Sequence, residues 1–223
     1  MPQVRVIGIT QPNVENTDCV TAEELIAYAA RVSNPSNQNN SETAPKLLRY
    51  LAKNKHWSPC EMVHMVMEIT TTRDIARQIL RHRSFSFQEF SQRYAVASNM
   101  EVSEARLQDN KNRQNSIENN DPFLEEEWIA AQEEIIDIVK EVYQEFLGRG
   151  MAKEVARKVL PEGLTESVMY MSGSVRSWIH YCQERTKPGV QKEHRIVAEY
   201  CKSLLLANFP SLEEILKDDT PVQ

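Results

Sequence analysis

The apolar positions along the chain change period several times, and each change predicts an element. Val4 to Ile9 is β-branched and apolar and ends near the Gln11-Pro12 turn, which predicts a short opening strand. Thr21-Ala22-Glu23-Glu24 has the form of a capping box, and Leu25, Ile26, Ala29 and Val32 behind it predict a helix. The Asn/Ser-rich stretch 33–42 reads as a loop. Thr43 opens a second helix carrying Leu47, Leu48 and Leu51, broken at Lys55-His56-Trp57-Ser58-Pro59. Met62 to Ile69 reads as a mostly buried strand, and Thr72 as the N-cap of a helix over 73–82 with Ile75 and Ile79 on one face.

Residues 98–121 are polar and Asn-rich and predict a long loop or insertion. Pro122 opens a long amphipathic helix whose face is Trp128, Ile135, Val139, Val142 and Phe146, ended by Gly148 and Gly150. Residues 151–160 form a shorter helix stopped by Pro161. Residues 165–185 read as helical with an interruption at Ser172-Gly173-Ser174, and a last long helix covers 191–207 before a helical turn at 211–217. No repeat or linker divides the chain. The expectation is one domain over 1–223, α+β, helix-rich, with a small antiparallel or mixed sheet.

Composition narrows the function. With 223 residues, 41% hydrophobic and 26% charged, the chain can bury an ordinary core. No apolar run approaches membrane-spanning length and the first residues lack a signal-peptide core, so a cytoplasmic protein is expected. A net charge of −6 argues against a duplex-coating protein, and no nucleic-acid partner is expected. Cys19, Cys60, Cys182 and Cys201 have no CxxC spacing and read as free thiols, and the five histidines match no metal pattern. Glycine-rich dinucleotide and phosphate-loop motifs are absent, so any nucleotide must be held differently.

One segment runs against the overall charge. Arg73, Arg77, Arg81, Arg83 and Arg93 face only Asp74 and Glu89 within 73–93, an excess of three positive charges. At four-residue spacing Arg73, Arg77 and Arg81 share one helix face and repel by a few tenths of a kcal/mol per pair, roughly, which solvent, nearby acids or a bound anion must offset. All five are arginines, whose planar forks match phosphate oxygens. Ser84, Ser86 and Ser91 supply hydroxyls, Glu89 suits a sugar hydroxyl, and Phe85, Phe87, Phe90 and Tyr94 interleave as packing or stacking groups. The set suits a mononucleotide; a solvated helix face and a single-stranded nucleic-acid module are the alternatives.

These residues carry a resemblance. Arg81-His82-Arg83, seven residues, then Ser91 is similar to the RHR-x7-S signature of flavin-dependent thymidylate synthases, continued by Gln88-Glu89-Phe90-Ser91-Gln92-Arg93-Tyr94. Ala30-Arg31-Val32-Ser33, His56-Trp57-Ser58-Pro59-Cys60-Glu61, Ala156-Arg157-Lys158-Val159-Leu160-Pro161, Gly173-Ser174-Val175-Arg176-Ser177-Trp178 to Arg185, and Gln191-x-Glu193 resemble further elements of that family. Gln88 stands where Asn is common, and His180 where Asn contacts flavin in some members.

The resemblance implies a homotetramer with active sites shared between subunits. It implies FAD as cofactor, and NADPH and 5,10-methylenetetrahydrofolate as co-substrates in converting dUMP to dTMP. Arg185 is then the catalytic electrophile. Gln78, Arg81, Glu89, Phe90, Ser91, Gln92, Arg93, Arg157 and Arg185 are the dUMP contacts. Ser58, Arg81, His82, Arg83, Ser84, Glu89, Ser174, Val175, Arg176 and His180 are the FAD contacts. Cys60 lacks the neighbouring His of the cysteine-dependent thymidylate synthases and is expected to be structural.

Overall fold

A computed structural model describes residues 2–217; the ends of the 1–223 domain lie outside the described residues. The order is β1 (Gln3–Ile9), α1 (Val14–Thr17), α2 (Ala22–Ala30), α3 (Ala44–Lys53), β2 (His64–Thr72), α4 (Arg73–Ile79), β3 (Ser86–Glu89), β4 (Arg106–Gln108), β5 (Ser116–Glu118), α5 (Pro122–Gly148), α6 (Lys153–Ala156), β6 (Glu166–Ser174), α7 (Val175–Arg185), α8 (Lys192–Asn208) and α9 (Glu213–Lys217). The class is α+β, and the main sheet is antiparallel with strand order β1-β2-β6-β3. No helix among the described residues is long and apolar enough to cross a membrane.

The sheet buries one face. Met65, Met67 and Ile69 on β2 and Met169 and Met171 on β6 are fully buried and pack with Trp178, Tyr181, Val197 and Leu205 of α7 and α8. Trp178 Nε1 donates to the Met65 carbonyl at 3.0 Å, which pins α7 across β2. The capping box forms as expected: the Thr21 hydroxyl accepts from Glu24 N at 3.1 Å, and the Glu24 carboxylate accepts from Thr21 N at 3.0 Å.

Several expected elements differ. Residues 166–174 are a central strand, not the first half of a helix; its buried face is Ser167, Met169, Met171 and Gly173. Methionine favours helices and the small residues carry no hydrophobic signal, so the period of two was masked. Helix α4 ends at Ile79, so Arg81 leaves the face shared by Arg73 and Arg77 and sits in a turn. The Thr72 hydroxyl donates to Asp74 Oδ1 at 2.5 Å instead of capping the backbone. Ser86–Glu89 forms an edge strand on β6, and the 98–121 segment contains the β4–β5 hairpin.

Helix α5 is rotated from its expected face. Gln132, Ile136 and Tyr143 are buried, whereas Trp128 and Ile135 remain 44% and 47% exposed. The extended stretch beside α5 has open backbone groups, and polar side chains answer them. The Gln132 amide accepts from Ser103 N at 2.9 Å and donates to Ser103 O at 2.9 Å, and the Tyr143 hydroxyl accepts from Ala97 N at 3.5 Å. Unpaired buried backbone groups are costly enough to outweigh the apolar pattern.

Gly173 is where the sheet admits the signature segment. A Cβ there would lie 2.4 Å and 2.6 Å from ring carbons of Phe85. Phe85 in turn packs edge-on against Trp178, with ring centroids 4.8 Å apart. Gly173→Ala should therefore lower stability by about 1–3 kcal/mol through overpacking. Gly148→Ala, with open space and no positive φ, should change it little. Urea melts of the two variants check this; equal melts would contradict the close packing.

Candidate active site

Two strand-to-helix junctions set the site. Strand β2 passes directly into α4 at one end of the β2–β6 ladder, and β6 passes directly into α7 at the other. The junctions are tied by Arg73 N to Thr165 O at 3.0 Å and Val175 N to Val63 O at 2.8 Å. The turn after α4 and the last residue of α7 meet on the core side of the ladder. There Arg185 Nε donates to His82 Nε2 at 2.8 Å.

That bond decides the state of His82. A permanently charged guanidinium donating to Nε2 requires a lone pair there, so the proton sits on Nδ1. Burial, then the charges of Arg185 and His180, hold His82 down to about 4. His194 is fully buried and held down to about 3 by burial and by Arg185 and His82. His82, Tyr181 and His194 form an edge-packed aromatic group, with His82–Tyr181 centroids 5.0 Å apart and Tyr181–His194 5.9 Å apart. Gln78 joins through its Oε1, 3.3 Å from His194 Nδ1.

A second group lies on another face of α4. Arg73, Arg77, Arg157 and Lys158 line a cavity of about 290 Å³ together with Gln92 and Glu162. Four cations against one lining carboxylate suit an anion. Arg77 is ion-paired to Glu162, and Arg73 lies 3.4 Å from Glu89, which also accepts from Ser167 at 2.8 Å. Gln92 is 5% exposed and its side-chain Nε2 has no hydrogen-bond partner, a buried donor that a phosphate oxygen would satisfy. Ser91 holds the turn through its carbonyl, which accepts from Tyr94 N and Ala95 N, and Phe90 N donates to Val168 O. Arg93 is exposed and faces Glu154 at 3.3 Å, beside this group.

The FAD-expected residues divide by availability. Arg81 and Arg83 are exposed and ion-paired to no carboxylate among the described residues, so their forks are open to a pyrophosphate. Ser58, Ser84 and His180 are exposed too, and His180 lies one helical turn beyond Arg176 on α7. Ser174 and Val175 are internal. The Ser174 hydroxyl caps α7 at Ser177 N and donates to Glu61 at 2.5 Å, and Val175 is core. Arg176 pairs with the same Glu61 at 2.8 Å, and the Ser174 hydrogen bond, with Arg176, holds that carboxyl below its usual range. This donor set fits a flavin dinucleotide carrying two phosphates.

Arg73, Arg77, Glu61 and His194 were not singled out as site residues from the sequence. The arginine excess flagged the first two, and the HWSPCE turn contained Glu61, but its partner Arg176 lies 115 residues away. All four cysteines are buried and none is in a disulfide, and burial pushes the Cys60 thiol up to about 11. No group of three or more potential metal ligands occurs among the described residues.

The fold superposes with a TM-score of 0.78 on a UMP/dUMP methylase, PolB, from Streptomyces cacaoi bound with 5-Br dUMP, 25% identical over 97% of this chain and 95% of that one. Its class is thus the α+β fold seen in a nucleotide methylase. Residues 16–211 match the family described as thymidylate synthase complementing protein. The chain is 48% identical to a probable flavin-dependent thymidylate synthase of Paramecium bursaria Chlorella virus 1, over 95% of this chain and 97% of that protein. It is 46% identical to the flavin-dependent thymidylate synthase of Synechocystis sp., over 96% and 99%. The chain belongs to the flavin-dependent thymidylate synthase family.

The two neutral histidines make stability depend on pH. Their ordinary value is 6.5 and the folded values are about 4 and about 3, so below pH 6.5 the unfolded chain binds more protons than the folded one. Stability is then fully present above pH 6.5 and falls as the pH drops toward 4 and 3, by about 1.4 kcal/mol per pH unit for each histidine. Urea unfolding at pH 7.5 and pH 5 checks this, and His194→Phe should roughly halve the slope. A flat profile would mean that neither histidine is held neutral.

Proposed function

We propose that the protein converts dUMP to dTMP with FAD as cofactor, 5,10-methylenetetrahydrofolate as carbon donor and NADPH as reductant. The observation that carries this is that Arg73 and Arg77 open onto an anion-suited cavity with Gln92 and Arg157, whereas Gln78, on another side of α4, bonds to the buried histidine next to the Arg185–His82 pair. A phosphate needs the first group and a pyrimidine base the second, so a second copy of the chain supplies the missing half. The reading includes a homotetramer with shared sites, which the 79% exposure of Tyr94, beside the anion cavity's Ser91–Arg93 turn, supports. Buried thiols outside any disulfide suit a reducing cytosol.

Arg157, Gln92 and Arg93, with Ser91, Phe90 and the Glu89 carboxylate, hold the phosphate and ribose of dUMP. Gln78, Arg81 and Arg185 hold the base. Arg81, His82, Arg83, Ser84, Ser58, Glu89, Arg176 and His180 hold FAD, with the backbone at Ser174 and Val175. Bound flavin supplies the hydride that completes the methyl group. C5 of uracil becomes nucleophilic as negative charge spreads onto N3 and O4, and Arg185 stabilises that charge without releasing a proton. His82 keeps the guanidinium aimed, because its neutral ring accepts one N–H and adds no competing positive charge. The residues do this without a cysteine nucleophile: Cys60 is a buried thiol whose thiolate is disfavoured.

The function is tested by an anaerobic assay containing FAD, NADPH, dUMP and the folate donor, with dTMP as product. A yellow protein that forms dTMP is expected; oligonucleotide binding without dTMP would favour the single-stranded nucleic-acid alternative. Arg185→Ala should lower kcat by about 10²–10³ while flavin remains bound. Arg157→Ala should chiefly raise the KM for dUMP. Unchanged turnover in Arg185→Ala would remove that residue from the chemistry.

A further inference from the structure

A chain of side-chain amides crosses from the surface to the buried histidine, and its direction is fixed at one end. Arg106 Nη2 donates to Glu193 Oε1 at 2.5 Å, and Gln191 Nε2 donates to Glu193 Oε2 at 3.1 Å. The Glu193 carboxyl is held below its usual range: burial pushes it up, but the hydrogen bond from Arg106 and the other contacts outweigh that. An ionised carboxylate only accepts. Gln191 must therefore turn its NH2 to Glu193 and its carbonyl to Gln78. Gln78 Nε2 then donates to Gln191 Oε1, at 2.6 Å, and Gln78 Oε1 faces His194 Nδ1 at 3.3 Å. His194 must carry its proton on Nδ1, which leaves Nε2 as the acceptor without a partner in the core.

The polarity of this chain determines what Gln78 can offer a ligand. Its carbonyl points inward to a residue with no exposed surface, whereas its NH2 lies on the exposed side beside Gln191. One N–H of that NH2 is used by Gln191 and the second remains to be given. Arg185, whose charge bears on His194, lies at the same corner.

We propose that Glu193, Gln191 and His194 are positioning residues that fix Gln78 as a donor to the substrate base, and so select uracil over cytosine nucleotides. The inference rests on the dUMP reading above. Uracil presents the carbonyl oxygen O4 where cytosine presents an amino group. A fixed donor pairs with the first and leaves two opposed donors with the second, which is the kind of mismatch that discriminates strongly. Without the carboxylate anchor the amides can turn over, and Gln78 can offer its carbonyl to either base.

The test titrates dUMP and dCMP into the FAD holoenzyme and reads the flavin absorbance. Wild type should prefer dUMP. Glu193→Gln, which restores a donor at the anchor and frees the relay to reverse, should reduce the ratio of the two dissociation constants about tenfold, the loss of one directional hydrogen bond. Gln191→Met, at an exposed position, breaks the link between Glu193 and Gln78, should reduce the same ratio and carries the test alone if Glu193→Gln does not fold. A purely structural role would weaken both nucleotides equally, and an unchanged ratio in the folded variants overturns the relay. Failure of the wild-type holoenzyme to bind dUMP overturns the function and the relay together; dUMP binding with an unchanged ratio overturns the relay alone.

Discussion

The nine-residue antiparallel ladder between β2 and β6 is the constraint from which the rest follows. Each strand continues into a helix with no loop between them, and the strands are antiparallel, so the helices start from opposite ends of the ladder. The ladder is about 30 Å long. Helix α7 is about 16 Å long and α4 about 10 Å. His82, in the turn after α4, and Arg185, the last residue of α7, meet between these two junctions.

Electrostatics then separates two tasks along one short helix. Arg73 and Arg77, four residues apart, open onto the anion cavity. Gln78 lies about 100° further round and faces the aromatic group. On the cavity side Arg73 and Arg77 have carboxylates at their edges, Glu89 and Glu162, close enough to hold those side chains in place when no anion is bound. On the other side, burial keeps His82 and His194 neutral beside a permanent cation. Positive charge is thus concentrated on Arg185, where a developing negative charge on a base would need it.

Local signals read well from the sequence, and signals that depend on a partner did not. The capping box, the opening strand, the Pro122 helix start and the Gly148–Gly150 helix end are local, and all are present. Strand β6 was hidden because its core face is Ser167, Met169, Met171 and Gly173, residues chosen to fit Phe85 and β2 and not for strand preference. The face of α5 was misread because Gln132 and Tyr143 are drawn inward by backbone groups of a distant segment. In the candidate site the arginine excess and the RHR-x7-S pattern were legible. Glu61, bonded to residues 113 and 115 positions away, and His194, bonded to Gln78 116 positions away, carried no local mark.

The central claim is that this chain carries two half-sites that work only when two copies bring them together. The most direct measurement mixes Arg185→Ala, impaired in kcat, with Arg157→Ala, impaired in dUMP affinity, under conditions that exchange subunits, and assays dTMP formation at a dUMP concentration well below the KM of Arg157→Ala. Complementary halves from different chains should restore up to about a quarter of the wild-type sites by random assortment in a symmetric oligomer. A mixture as inactive as its components, with subunit exchange demonstrated, would show that both halves must come from the same chain and would contradict the account.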